Sequence, residues 1–573
     1  MSKILAGVAI FIGFGTVCLA QTAYVARELQ SLDPQTQVNV IVRFKHAPDF
    51  AHHQMIRDLG GLVRGTLDVI QAGAYSVPAA ALQNLAYNPE VLSISPDRPV
   101  HMLLDNTTAA VNAPAAWSAG LDGSGIGVAV IDSGISDHDD LQGGTGSRVI
   151  YRESFVGSDG TDGFGHGEHV AGILASNGAD SNCDICTRHF VGLAPNVNLV
   201  DLQVLDANGE GSDSGVIAAI TRAIQLQSPP YNVRVINLSL GRPVYESYAL
   251  DPLCLAVESA WKAGIVVVVA AGNGGRDNPA GNNGYGTITV PGNDPYVITV
   301  GAMKSMGTPQ RTDDLIASYS SKGPTQIDHV VKPDLVAPGN LVVSLLSPNG
   351  ALSAQFPQDM VPLSYYEQTA QTDLSTSYFT LSGTSMATPV VSGAAALLLQ
   401  ANPALTPDQV KYKLMRTAYK SFPTTSTACD PTTGQCYTSE YDVFTVGAGY
   451  LDIQAALADT STLRNSALSP TASYTSGLLG GILGLLGLDE ATLNCNSRTV
   501  CDPSLLGMQS IWGTQAIASD KSIWGNQSIW GTQSIWGTQS IWGTQSIWGT
   551  QSIWGTASTD PVEAMRIMTQ GEQ

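Results

Sequence analysis

Four side chains in this sequence would support acyl transfer if they met: Asp132 in IDSG, His166 in GHGEHVAGILAS, Asn273 in AAGNGG and Ser385 in SGTSMATP. A serine hydroxyl is a weak nucleophile until a neighbouring base takes its proton, and an imidazole titrating near neutrality suits that task. A buried carboxylate sets the imidazole tautomer and stabilises its charged form. A carboxamide beside backbone N–H groups can hold the oxyanion of a tetrahedral intermediate. Taken singly, each residue has a plainer reading. Strand-end Asp and Asn make turns, and Ser382 or Thr384 would cap a helix as well as Ser385. Four such residues at element ends in one domain argue for the chemistry.

The elements that must position them lie between residues 110 and 457. Short, near-continuous apolar runs (GVAVI, LVDLQVL, VRVINLSL, IVVVVAA, YVITVGA) alternate there with helical stretches such as DSGVIAAITRAIQL and CLAVESAWKAG. Strands apolar on both faces predict an α/β domain, a parallel sheet flanked by helices on both faces. Functional residues in such sheets collect beyond the carboxyl ends of the strands, where Asp132 and Asn273 fall. The Ala-, Val- and Leu-rich run after Ser385 reads as a buried helix, with Pro389 near its first turn. Residues 37–101 read separately as β-α-β-β-α-β, a small ferredoxin-like α+β unit with no catalytic cluster, suited to binding or chaperoning.

IDSG, HGEHVAG, INLSLG, AAGN and SGTSMATP, in that order, resemble the motifs of the subtilisin-like serine proteases. The order Asp, His, Ser is also theirs among triad enzymes. The resemblance implies that Asp132 orients the base, His166 is general base and acid, Ser385 attacks, and Asn273 lines the oxyanion hole. It also implies that the backbones of Ser239-Leu240-Gly241 and Ala270-Ala271-Gly272 flank polypeptide substrate as an added strand. Residues 37–101 resemble the family's inhibitory prosegment, and GAGYLDIQAAL resembles the end of its catalytic domain. The chemistry requires no cofactor; structural calcium is compatible with the family, without assignable ligands here. SPDRPVHMLLDN ends the resemblance, which places the self-cleavage point near Met102 and implies a medium or large apolar residue before the scissile bond. Glu168 departs from the family threonine. Two positions along a helix from His166, it points elsewhere, yet if close it would raise the imidazole pKa. It also raises the sedolisins, whose base is a glutamate; Asn273 and the His-Gly pair speak against them. Residues 345–376 and 180–187 read as inserted surface loops.

The remaining sequence bears on destination and partners. Lys3, the apolar stretch ILAGVAIFIGFGTVCLA and Ala20 resemble a signal peptide over residues 1–20, so export is expected. Cys183/Cys186, Cys429/Cys436 and Cys495/Cys501 read as local disulfides of an exported protein, and Cys254 as a buried free thiol. A net charge of −21 supplies no basic stripe for nucleic acid. Residues 458–509 read as a linker with a Gly/Leu-rich stretch too short to span a bilayer. SIWGTQ then repeats within 510–557. Its even period places every Trp on one face of an extended chain, favouring regular β-stacking over a low-complexity spacer. Such a tail suits a glycan, a cell surface or its own copies.

Overall fold

The computed structural model describes residues 23–26, 29, 32–34, 36–67, 70–96, 105–144, 146–277, 283–369, 373–430, 434–463, 466–475, 490–494 and 561–572. The signal-peptide stretch, the Met102 junction, the Gly/Leu-rich run, Cys495/Cys501 and the SIWGTQ repeat lie outside them. The chain divides into two compact units, Met1–His101 and Met102–Gln573.

In the first unit, β1 (Tyr24–Val25), β2 (Gln37–Phe44), β3 (Leu62–Leu67), β4 (Ala72–Pro78) and β5 (Val91–Pro96) form one sheet in the order β1-β5-β2-β4-β3. Helices α1 (Phe50–Asp58) and α2 (Ala81–Ala86) join them. Alternation in β2 buries Val40, Val42 and Phe44, and these pack with Ile56, Tyr75 and Leu85. Asp49 opens α1 through a reciprocal capping box with His52. The short β1, parallel to β5, adds a strand not legible in the sequence.

The second unit begins with α3 (Asp105–Ala110) and α4 (Ala113–Ser118) and is built on an eight-stranded sheet. Its strands are β6 (Gly127–Asp132), β9 (Val149–Ser154), β10 (Asn198–Gln203), β11 (Val233–Leu238), β12 (Val266–Ala270), β13 (Ile298–Lys304), β14 (Leu315–Ile316) and β15 (Leu335–Pro338), with β7 (Gln142–Gly143) and β8 (Gly146–Ser147) a separate hairpin. The order is β14-β13-β12-β11-β6-β10-β9, and β15 also pairs with β13. All pairings are parallel except that of the two-residue β14 with β13, so the expected parallel sheet is in fact mixed at one edge. The run of valines in β12 and every residue of β6 are buried, which is why these strands read as continuous apolar sequence.

Helices α5 (His166–Ala175) and α10 (Thr384–Ala401) pack against each other and on one face, and α6 (Asp213–Gln225) and α7 (Pro252–Lys262) cover the other. Among the described residues α10 is the one helix long and apolar enough to cross a membrane, but 89% of it is buried inside the protein, so it is a core helix.

Two regions correct the sequence reading. The described residues of 345–376 are structured: β16 (Val342–Leu345), β17 (Met360–Pro362) and β18 (Leu374–Leu381) build a second sheet, β16-β18-β17, with α8 (Ala351–Gln355) and α9 (Leu363–Tyr366) between its strands. The Cys183–Cys186 loop pairs with this region through Thr187 N–H to Tyr366 O and Gln368 N–H to Ile185 O. The supposed linker also starts inside the unit. After α11 (Pro407–Thr417), the disulfide-bridged hairpin β19 (Thr425–Cys429) and β20 (Cys436–Glu440), α12 (Val443–Val446) and α13 (Ile453–Ala458), strand β21 (Thr471–Thr475) pairs with β22 (Glu490–Asn494). Ala472 N–H donates to His329 O and Val331 N–H to Pro470 O, fastening residues 470–472 to the body. Cys254 is a buried free thiol in α7, 3.3 Å from Asn293 Oδ1.

Candidate active site

Asp132 is the last residue of β6, Ser239 follows β11 directly, and Asn273 lies three residues beyond β12. These strands are parallel neighbours, so the three residues sit at adjacent carboxyl ends, about 4.8 Å apart per strand. His166 is the first residue of α5, after Gly165 at φ +109°. Its Nδ1 lies 2.7 Å from Asp132 Oδ1, which also accepts the Ser133 N–H at 2.8 Å. Gly167 lets the helix come this close to the strand, since a Cβ there would stand 2.3 Å from Gly134 O.

Asp162, which the sequence reading passed over, fixes the start of α5. Its carboxylate accepts from the amides of Phe164, Gly165 and Glu168 and from Ser133 Oγ, satisfying helix-start donors. An Asp four residues before a helix-opening His was the available signal. Burial alone would lower the His166 imidazole, but the Asp132 charge and hydrogen bond, with Asp162 adding, hold it above its ordinary 6.5. One turn on, burial and the neighbouring His166 push His169 down to about 3. It is therefore neutral, and its Nε2–H donates to the carbonyls of Val342 and Phe379, tying α5 to β16 and β18.

Glu168 is fully buried and accepts the Ser136 N–H. Burial and nearby Asp162 raise its carboxyl well above the usual range, favouring the neutral form. The charges that lift His166 are those of Asp132 and Asp162. In the sequence reading Glu168 raises the imidazole pKa only if it lies close; its carboxyl instead accepts the Ser136 N–H, and the imidazole has Asp132 as its carboxylate partner.

Ser385 is the second residue of α10, and the cap is Gly383, with neither Ser382 nor Thr384 capping. Pro389 lies in the sixth position of this helix and has no N–H for the Ser385 carbonyl. Ser239 Oγ supplies that bond at 2.8 Å, and Ser385 Oγ donates to the Ser239 carbonyl at 3.1 Å. The side chain of Ser239 is thus structural, against the expectation that only its backbone mattered. The proline i+4 from the serine was the signal for this missing donor. Ser239→Ala is expected to cost about 1–3 kcal/mol by leaving a buried carbonyl unpaired, measured by denaturant titration, with Ser239→Thr largely retaining the stability.

Asn273 Oδ1 accepts from Thr384 N–H at 2.9 Å and Thr384 Oγ1 at 3.0 Å, which turns Nδ2 toward the Gly383 side. Gly383, at φ +147°, leaves that room, since a Cβ would lie 3.0 Å from Nδ2. The Asn273 amide and the first amides of α10 therefore share one small space.

The two flanking segments differ. Ala270 pairs with Val300 within the sheet, and Ala271 uses its N–H on Val300 O and its carbonyl on Thr289. Gly272 donates to Thr384 Oγ1 and accepts from Ser321 N–H. The main-chain partners of these three residues thus come from the protein's own β13, Thr289, Ser321 and Thr384. Leu240 and Gly241 carry no main-chain hydrogen bond among the described residues. For calcium, His138, Asp140 and Asp180 cluster within 4.8 Å. Asp140 there is already engaged by Ser176 Oγ, Tyr378 OH and Asp180 N–H, so this group does not fit an open cation site.

The sequence profile of the Subtilase family matches residues 123–449. The chain is 36% identical over 395 residues to "Serine protease AprX" of Bacillus subtilis (strain 168), covering 66% of this chain and 82% of that protein. It is 34% identical over 368 residues to "Subtilisin E" of the same strain, covering 64% and 80%. It is 35% identical over 308 residues to "Alkaline protease" of Alkalihalobacillus alcalophilus, covering 54% and 63%. With that profile extending over more than half of the chain and enclosing the four residues gathered at the carboxyl edge of the sheet, the protein belongs to the subtilase family and is a subtilisin-like serine protease.

Proposed function

We propose that this protein is an exported endopeptidase acting through Asp132, His166 and Ser385, with Asn273 in the oxyanion hole. The observation that carries the reading is the 2.7 Å His166–Asp132 bond at the strand end beside the one Ser385 engages. Ser385 Oγ turns from the Ser239 carbonyl, gives its proton to His166 Nε2 and attacks the scissile carbonyl carbon. The carbonyl electron pair moves onto oxygen, where Asn273 Nδ2 and the Ser385 N–H stabilise it. His166 then protonates the departing amine, leaving an acyl-enzyme that water hydrolyses by the same steps. No cofactor takes part. Extended or unfolded polypeptide pairs with the main chain of Leu240 and Gly241, which carries no hydrogen bond among the described residues.

Residues 37–101 act as an inhibitory, chaperoning prosegment removed by self-cleavage near Met102. Export is supported by the apolar N-terminal stretch and by two described disulfides, which persist in oxidising surroundings. The tryptophan row of the repeat suits a glycan, a cell surface or further copies of the chain.

A fluorophosphonate is expected to add to the peptide containing Ser385 once the prosegment is gone, while Ser385→Ala stays unlabelled and uncut. Absence of adduct from a mature, folded chain would instead point to a catalytically silent binding protein. Sequencing the mature end is expected to place it at or near Met102; a start upstream of Val100 overturns that cleavage point.

A further inference from the structure

The last residues of the chain, beyond the repeat, are built into the neighbourhood of the nucleophile. Helix α14 (Pro561–Gln570) packs against β18, the strand leading to Ser385. Ala564, Ile567 and Met568 are buried, as is Glu572, 2% exposed. An amphipathic turn on a surface would not bury a carboxylate, so the polar contacts matter.

Those contacts fall on two stretches. Ser382, three residues before Ser385, donates its N–H to Met568 O at 2.7 Å. Its Oγ accepts the Leu341 N–H at 2.8 Å, and Gly571, at φ +58°, lies so close that a Cβ would be 2.4 Å from that oxygen. Asn340 and Glu572 exchange a reciprocal pair, Asn340 Nδ2 to Glu572 O at 2.7 Å and Glu572 N–H to Asn340 Oδ1 at 2.8 Å. Gly339, next in the chain, accepts the Gly383 N–H at 2.8 Å.

The second stretch follows Asn273. Arg276, three residues on, is almost wholly buried and reaches Glu563 Oε1 at 3.1 Å and Glu572 Oε2 at 3.9 Å. Arg566 pairs with Glu563 and with Asp430 of the disulfide hairpin, and Asp430 lies 3.6 Å from Arg276. Glu572 Oε2 also accepts the Ser318 N–H at 2.8 Å, and Ser318 Oγ accepts from Arg276 Nε.

We propose that residues 561–572 are a clasp that sets the oxyanion hole by holding the backbone before Ser385 and the loop after Asn273 in register. This rests on the reading of those two residues given above. The hole needs donors from two separate segments, the Asn273 side chain and the Ser385 amide, and a misplacement near 1 Å costs about 100-fold. The clasp bonds to both segments at a distance of three residues, so Glu563, Glu572 and Arg276 are positioning residues. Because residues 561–572 follow the repeat in the sequence, the site reaches its working geometry only after the repeat has been made. The repeat is then joined to the protease at both ends.

The test compares the full chain, a chain ending at Thr559 and the full-length double variant Glu563→Gln/Glu572→Gln. Hydrogen exchange at residues 274–276 and 382–385 reads the positioning directly. Faster exchange there in both variants is expected, with kcat on a peptide substrate down about 10- to 100-fold for the truncation and KM within about twofold. Synthetic peptide 561–573 added to the truncated chain is expected to restore both readings. Unchanged exchange at those residues overturns the clasp, whatever the activity. So does lowered thermal stability with kcat unaltered. Faster exchange in both variants, with a full chain that takes no fluorophosphonate, would leave the contacts of the clasp standing and fail the protease reading instead. Should the truncated chain not fold, the double variant decides alone.

Discussion

Replacing His166 with alanine is expected to lower kcat by about 10⁶-fold, a magnitude measured on a subtilisin. Without the imidazole, nothing in the described site accepts the Ser385 proton, and Glu168, engaged with Ser136 N–H, does not take its place. Steady-state kinetics on a peptide substrate checks this, and a loss under 10²-fold would show another base at work. The wild-type pH profile supplies a second reading. As the general base proposed above, His166 must be neutral, and its imidazole is held above its ordinary 6.5 because Asp132 and Asp162 outweigh burial. Activity should therefore fall as pH drops, with the acid limb of kcat/KM centred above 6.5. Asp132→Asn should cost about 10⁴-fold, since the amide no longer enforces the tautomer.

Asp334→Ala is expected to remove about 3–5 kcal/mol of folding stability. Asp334 lies before β15 with Lys332 Nζ at 2.7 Å and Lys411 Nζ at 3.2 Å, and both lysines are fully buried. Its carboxylate also accepts from Thr299 N–H and Ser469 Oγ. Alanine would leave Lys332 and Lys411 buried with only main-chain carbonyls and Ser469 as partners and without the carboxylate that opposes the burial pushing Lys411 down to about 7. Such a loss is a large share of the roughly 5–15 kcal/mol typical of a domain, so the variant should unfold at much lower urea. A loss under about 1 kcal/mol would mean that water reaches the lysines. Burial pushes this carboxyl up, yet the two lysines hold it below its ordinary 3.8. Its contribution is complete above pH 3.8 and is lost as pH falls through the folded value. The site depends on this cluster because β15 runs to Pro338, and Gly339 then holds Gly383 beside the nucleophile.

Much of the catalytic unit was legible because its signals are local. Buried parallel strands are apolar on both faces, so β6, β11 and β12 stood out as short valine-rich runs, and the polar residues after them marked the functional edge. The two described disulfides join cysteines three and seven residues apart, within reach of one turn or hairpin. The inserted stretch 345–376 reads as a loop in the sequence because β17 has three residues and α8 and α9 only five and four, too few to show a periodicity. β18 supplies the pairing that joins β16 and β17 into a sheet.

The amino-acid order alone determined which groups could react, where the buried parallel strands of the catalytic unit run, and that the strand ends would gather Asp132 and Asn273. Only the tertiary structure decided how the buried polar groups are completed. Ser239 replaces the N–H that Pro389 lacks, Glu168 turns to Ser136, and the final helix reaches back to Ser382 and Arg276. Local pattern governs backbone conformation over a few residues, whereas a partner for a buried donor or acceptor comes from wherever packing brings the chain, here from up to hundreds of residues away.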